Sequence, residues 1–96
     1  MTQGYAADKD ALTKRLHRIE GQVRGIERMV DEDRYCIEIL TQISAVTTAL
    51  DSVAFLLLEN HVDHCVTGAL GSGDPEAARE KSRELLDAVH RFSRAR

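Results

Sequence analysis

The stretch CIEILTQISAVTTALDSVAFLLLENHVDHC, residues 36–65, decides the fold. Neither Gly nor Pro interrupts residues 34–67, and residues 36–65 contain no Lys or Arg, only Glu38, Asp51, Glu59 and Asp63. Cys36, Leu40, Ile43, Thr47, Leu50, Ala54, Leu57 and His61 recur with heptad-like helical spacing. Ile39, Val46 and Val53 widen that seam, and Leu56 and Leu58 follow. The pattern predicts one long helix with more apolar surface than a single partner helix can cover, and hence packing on two sides.

Upstream, Leu12, Leu16, Ile19, Val23, Ile26 and Val30 step by three and four, the stripe of an amphipathic helix. Asp8 or Asp10 can cap its start, and Asp31-Glu32-Asp33 is a poor continuation at the negative end of a helix dipole. The chain is therefore expected to turn there. Residues 1–8 have no periodicity and are expected to be a flexible N-terminal arm, with 9–96 forming a single helical domain. Downstream, Gly68, Gly71, Ser72 and Gly73 mark a turn. A third helix is expected from Pro75, capped by Asp74, with Ala78, Leu85, Leu86, Val89 and Phe92 as its apolar face.

The expected fold is all-α, three helices per chain with the first pair antiparallel. Composition agrees: 43% of the 96 residues are hydrophobic but only 4% aromatic, with no Trp and one Pro. Such a chain packs through aliphatic side chains rather than as a β-sandwich. A domain this small with so few bulky side chains gains burial by oligomerising. The sequence shows no signal-peptide pattern and, as read here, no apolar run long enough to span a membrane. A cytoplasmic location with two reduced thiols is the expectation.

The formal net charge is −3, so the chain has no general basic character. Its distribution is uneven. Lys14, Arg15, Arg18, Arg24 and Arg28 outnumber Glu20 and Glu27 in the first helix, and the tail carries Arg79, Lys81, Arg83, Arg91, Arg94 and Arg96. Lys14 and Arg18 lie four apart, with Arg15 and Arg28 near that face. These four suit phosphate contacts on DNA, which position a protein without reading bases. A simply solvated basic face is the competing account. No helix-turn-helix or other familiar reading module is visible, so sequence preference would rest partly on DNA shape. Gly21 and Gly25, four apart, suit close helix packing or phosphate access. His17 reads as solvated.

The cysteines and histidines set a geometric problem. His61 and Cys65 are spaced i, i+4 and fall on one helical face, able to chelate one metal. Cys36 lies 29 positions before Cys65, roughly 43 Å along a helix. If the three meet, Cys36 comes from another chain, and two copies of this helix paired antiparallel bring them together twice. Two thiolates and one imidazole favour a soft ion, and copper(I) accepts three such donors. Zinc would need a fourth ligand from His64, Asp63 or water. The alternative is that both cysteines are merely small buried apolar residues.

Residues 15–26, from Arg15-Leu16 through Arg18-Ile19-Glu20-Gly21-Gln22-Val23-Arg24-Gly25-Ile26, then Tyr35-Cys36 and Thr41-Gln42-Ile43-Ser44-Ala45-Val46, resemble the copper-sensitive operon repressor (CsoR) family. Glu59-Asn60-His61-Val62-Asp63-His64-Cys65 resembles that family's end-of-helix signature. The resemblance implies dimers built as an antiparallel four-helix bundle that pair into tetramers. It also implies repression relieved when copper(I) binds and operator DNA is released. The family's Cys, His, Cys ligand set falls on Cys36, His61 and Cys65, its Tyr on Tyr35, and its allosteric Glu on Glu84, with Glu80 as the alternative.

Nickel- and cobalt-sensing members place a histidine at position 65 and another in the N-terminal arm, yet residues 1–16 here contain none. Sulfide sensors carry Cys at position 61, and formaldehyde-responsive members lack the thiol at 65. A histidine held by metal through one ring nitrogen offers the other as a donor, so Glu84 could tie the third helix to the site. His64 remains a candidate for a supporting role. No phosphate loop, carboxylate pair or nucleophile–base arrangement marks an enzyme. A sensor of zinc or nickel, a copper buffer without DNA binding, and a purely structural helical oligomer stay open on the residues alone.

Overall fold

A computed structural model describes residues 5–94, with the side chains of residues 65, 66 and 94 outside the description. The described chain is helical, without strands. A 3-10 turn, Ala6–Asp8, leads into α1 (Lys9–Asp31). Then come α2 (Cys36–His61), a π-helical turn (Val62–Val66), α3 (Thr67–Gly71) and α4 (Pro75–Arg94). The expected second helix is thus present, but a π turn divides it. Contacts separate the chain into a unit of Ala6–Leu57 and one built on the segment from Leu58 onward.

In the first unit, Leu12 and Ile19 of α1 are buried with Val46 and Val53 of α2, and Ile26, Ala49 and Leu56 pack against them. Since only residues 32–35 join the helices, they run antiparallel, as short helix connections dictate. The α1 stripe is split by this packing. Its members at seven-residue spacing, Leu12, Ile19 and Ile26, face α2, whereas Leu16, Val23 and Val30 stay exposed. The same division holds in α2: Val46 and Val53 are buried, while Leu40, Ile43 and Leu50 of the heptad seam are exposed at 53%, 43% and 46%. Two-sided packing is therefore half met within the chain. A Cβ at Gly21 or Gly25 would meet nothing within 4 Å, so neither glycine serves a close approach inside one chain.

The expectation that no run could span a membrane is corrected on length and composition. Cys36–Gly71 is a helical path of 36 residues apolar enough to do so, although one such helix is weak evidence. The reason is that the seam and the stripe that meets α1 sit on one helix, so both add to its hydropathy.

Helix ends follow local chemistry. Asp8 occupies the N-cap of α1 without a side-chain cap hydrogen bond. After Asp31, Asp33 adopts φ 55°, Asp33 N–H donates to Val30 C=O and Arg34 N–H to Met29 C=O, a Schellman ending. In the second unit, Asp74 caps α4 as expected, with Glu76 N–H donating to its Oδ1 at 3.0 Å and Pro75 in the first turn. Gly73 precedes it at φ 79°. Ser72 Oγ accepts from Asp74 N–H and donates to Ala69 C=O, closing the turn.

Two stability predictions arise from these ends. Asp33→Gly should raise unfolding free energy by up to about 1 kcal/mol, because an αL residue without Cβ is unstrained and one carboxylate leaves the helix C-terminus. Asp74→Ala should lower it by about 1 kcal/mol through the lost cap. Denaturant titration at fixed protein concentration checks both; a destabilised Asp33→Gly or an unaffected Asp74→Ala would contradict them.

Candidate metal centre

Cys36 is the first residue of α2 and its thiol is free and exposed. The preceding Tyr35 supplies the carbonyl that opens the helix, accepting from Glu38 N–H at 3.0 Å and Ile39 N–H at 3.3 Å. Tyr35 itself is 69% exposed. Arg34 reaches forward to Glu38 through Nε and Nη2, at 3.2 and 3.0 Å, and so steadies the first turn. Such an exposed pair contributes a few tenths of a kcal/mol.

His61 is the last residue of α2, its side chain one-third exposed. Its Nε2 lies 3.8 Å from Glu84 Oε1 on α4, too far for a hydrogen bond but close enough to become one with a small shift. Lys81 Nζ shares the same carboxylate at 3.4 Å from Oε2. Glu84 is thus held by a lysine one turn away, with its second oxygen directed to the imidazole. Cys65 falls within the π turn, and its side chain is outside the described residues. His64 and Asp63 are exposed.

Among the described residues of one chain, no three His, Cys, Asp or Glu side chains gather into a metal-sized group. Cys36 and His61 are the first and last residues of α2, and the structure brings His61 and Glu84 together. The donor types still fit a soft metal: one accessible thiol, one half-buried imidazole, and a second cysteine one turn beyond it in sequence.

Arg15 and Arg18 line an open groove with Ile19, Gln22, Ala49 and Ser52, whereas Arg28 lines a separate depression with Arg24, Glu27 and Asp31. Lys14 is exposed on α1. Glu20 pairs with Arg24 at 3.2 Å and stands 3.8 Å from His17, which offsets part of the local positive charge. Sequence reasoning missed Ser52 and Gln22 in the groove; Gln22 Oε1 is buried and finds no hydrogen-bond partner among the described residues. The signal was present in the phase of Arg15, Arg18 and Gln22, which follow one another by three and four. It also missed Asn60, the residue before His61 and only 8% exposed, a position that the aliphatic pattern alone would not single out.

The helical chain carries a thiol and an imidazole at the ends of its longest helix and cations along the preceding one. It belongs to the metal-sensitive transcriptional repressor family, whose model matches residues 8–91. Its relatives include the copper-sensing transcriptional repressor RicR of Mycobacterium tuberculosis, 55% identical over 96% of this chain and 95% of that one. The crystal structure of the copper-sensing repressor CsoR with Cu(I) from Geobacillus thermodenitrificans NG80-2 superposes with a TM-score of 0.86 at 44% identity. That match covers 97% of this chain and 94% of the other. The nickel-responsive transcriptional regulator InrS matches with a TM-score of 0.75 at 43% identity, over 86% and 90% of the two chains.

Proposed function

We propose that this chain is a cytoplasmic copper(I)-responsive repressor that binds operator DNA when metal-free and releases it when copper(I) fills a site shared between subunits. The ligands are Cys36 of one chain with His61 and Cys65 of another. The observation that carries the reading is the exposed seam of α2, with thiol and imidazole at its opposite ends. A second copy laid antiparallel on that seam covers Leu40, Ile43 and Leu50 and brings each Cys36 to the far end of its partner. Burying one such aliphatic side chain is worth about 1.5–3 kcal/mol, so interface and metal site stabilise each other. The resulting dimers pair into a tetramer.

Bound copper(I) supplies a soft centre that accepts two thiolates and one imidazole without a fourth ligand. The protein's own part is to orient the ring and carry the signal. With Nε2 turned toward Glu84, His61 has Nδ1 left for the metal. A ring held by metal through Nδ1 would present its Nε2–H to Glu84, and closing the 3.8 Å gap would draw α4 toward the end of α2. Glu84, rather than Glu80, takes the acceptor role on the strength of that distance. Tyr35 flanks the thiol from the partner's helix start. Coupling of about 1–3 kcal/mol per site lowers DNA affinity roughly 5- to 150-fold. Lys14, Arg15, Arg18 and Arg28 contact phosphates in the metal-free state.

Anisotropy with a DNA fragment from upstream of the chain's own gene tests the function under anaerobic conditions. Tight metal-free binding should be abolished by one copper(I) per chain and by neither zinc nor nickel; binding indifferent to copper would overturn the reading. In the same assay Arg15→Ala and Arg18→Ala should each weaken metal-free binding across DNA sequences. Each should also flatten the logarithmic salt dependence by about one unit, as loss of a phosphate contact does. An unchanged slope would remove those arginines from the DNA surface.

A further inference from the structure

Directly after His61 the helical path changes its hydrogen bonding, and the π turn Val62–Val66 covers the stretch that contains position 65. An i→i+5 turn accommodates one residue more than an α turn, so residues beyond it are rotated about 100° from their α-helical register. A π turn is uncommon and falls often at functional sites. What holds this one is visible. Thr67 N–H donates to Val62 C=O, and Thr67 Oγ1 donates to that same carbonyl oxygen at 2.8 Å.

The other threonines of this path behave differently. Thr41, Thr47 and Thr48 each return their hydroxyl to the carbonyl four residues back, at 2.9, 3.0 and 3.1 Å. Such bonds are ordinary for an exposed helical threonine. Thr67 instead reaches five residues back, to the carbonyl that opens the π turn. The turn also packs against α4, the helix that carries Glu84.

We infer that Thr67 is a positioning residue for the metal site, its hydroxyl fixing the π turn that sets position 65 in register with His61. The inference rests on the copper reading above. Thr67 touches no metal; its effect passes through the backbone of residues 62–66. Loss of the hydroxyl loosens the π turn, and with it the backbone that carries position 65 beyond His61.

The test compares Thr67→Val, which keeps the branched shape without a donor, with Thr67→Ser, which keeps the donor. Copper(I) affinity is measured by competition with a chelator and metal-free DNA affinity by anisotropy. The π turn itself is followed in the metal-free protein through its backbone hydrogen bond, read as the scalar coupling between the residue 67 N–H and the Val62 carbonyl carbon. Thr67→Val should weaken copper(I) binding roughly five- to tenfold, as loss of one hydrogen bond implies, with a diminished coupling and unchanged metal-free DNA affinity. Thr67→Ser should behave as the unchanged protein. Equal copper affinity in Thr67→Val, an equal loss in Thr67→Ser, or a matching loss of DNA binding would each overturn the inference. If the unchanged protein itself fails to bind copper(I), the reading of the site falls, whereas normal binding with an indifferent valine variant removes Thr67 alone.

Discussion

α2 runs for 26 residues of uninterrupted α-helix from Cys36 to His61, a rise of roughly 37 Å between the residues that carry the thiol and the imidazole. No side chain spans such a distance, and a stiff helix cannot fold back on itself to shorten it. Any site that uses both groups is completed by a second molecule. The constraint also explains why so much of α2 is left uncovered. Its seam residues Leu40, Ile43 and Leu50 remain exposed in one chain because they occupy the surface on which the other copy is proposed to lie. In the proposed assembly the metal site and the subunit interface are two descriptions of one helix face.

The remaining features divide the work around that face. Val46 and Val53 attach α2 to α1, which carries Arg15 and Arg18 on a groove beside Ala49 and Ser52. The far end of α2 is bordered by α4, whose Glu84 faces His61 and is steadied by Lys81. In the proposed mechanism a change at the imidazole acts first on α4, and reaches the cations of α1 through the assembly rather than along one chain. Exposed ion pairs such as Arg34–Glu38 and Arg24–Glu20 contribute little energy beside the aliphatic seam.

Much of this is legible in the residues because it depends on period and spacing. The α1 stripe, the end of α1 at Asp31, the Asp74-Pro75 start of α4 and the two-sided character of α2 all follow from patterns several turns long. The sequence pattern could not tell which half of each stripe lies inside: Leu16 and Leu12 have the same apolar character, and only the placement of α2 separates them. The π turn escaped because five residues are too few to reveal a changed period, and neither Gly nor Pro marks it. The Schellman ending at Asp33 escaped because an aspartate, not the usual glycine, takes the left-handed position. The membrane-length run was misjudged because two soluble-type stripes on one helix add to the hydropathy of a spanning segment. For the site, Glu84 near His61 comes from the packing of α4, which spacing alone leaves open between Glu80 and Glu84.

The most direct test of a site shared between chains is complementation by mixing. A Cys36→Ala chain and a His61→Ala chain each lack a complete ligand set, and each alone should fail to hold copper(I) against a strong competing chelator. Unfolded together and refolded as mixed assemblies, they should regain tight copper(I) binding, because an antiparallel pair of unlike chains keeps one intact site and concentrates both defects in the other. Mixed assemblies that form but hold no more copper than either variant alone would contradict the shared site, and with it the account of how this helix senses metal.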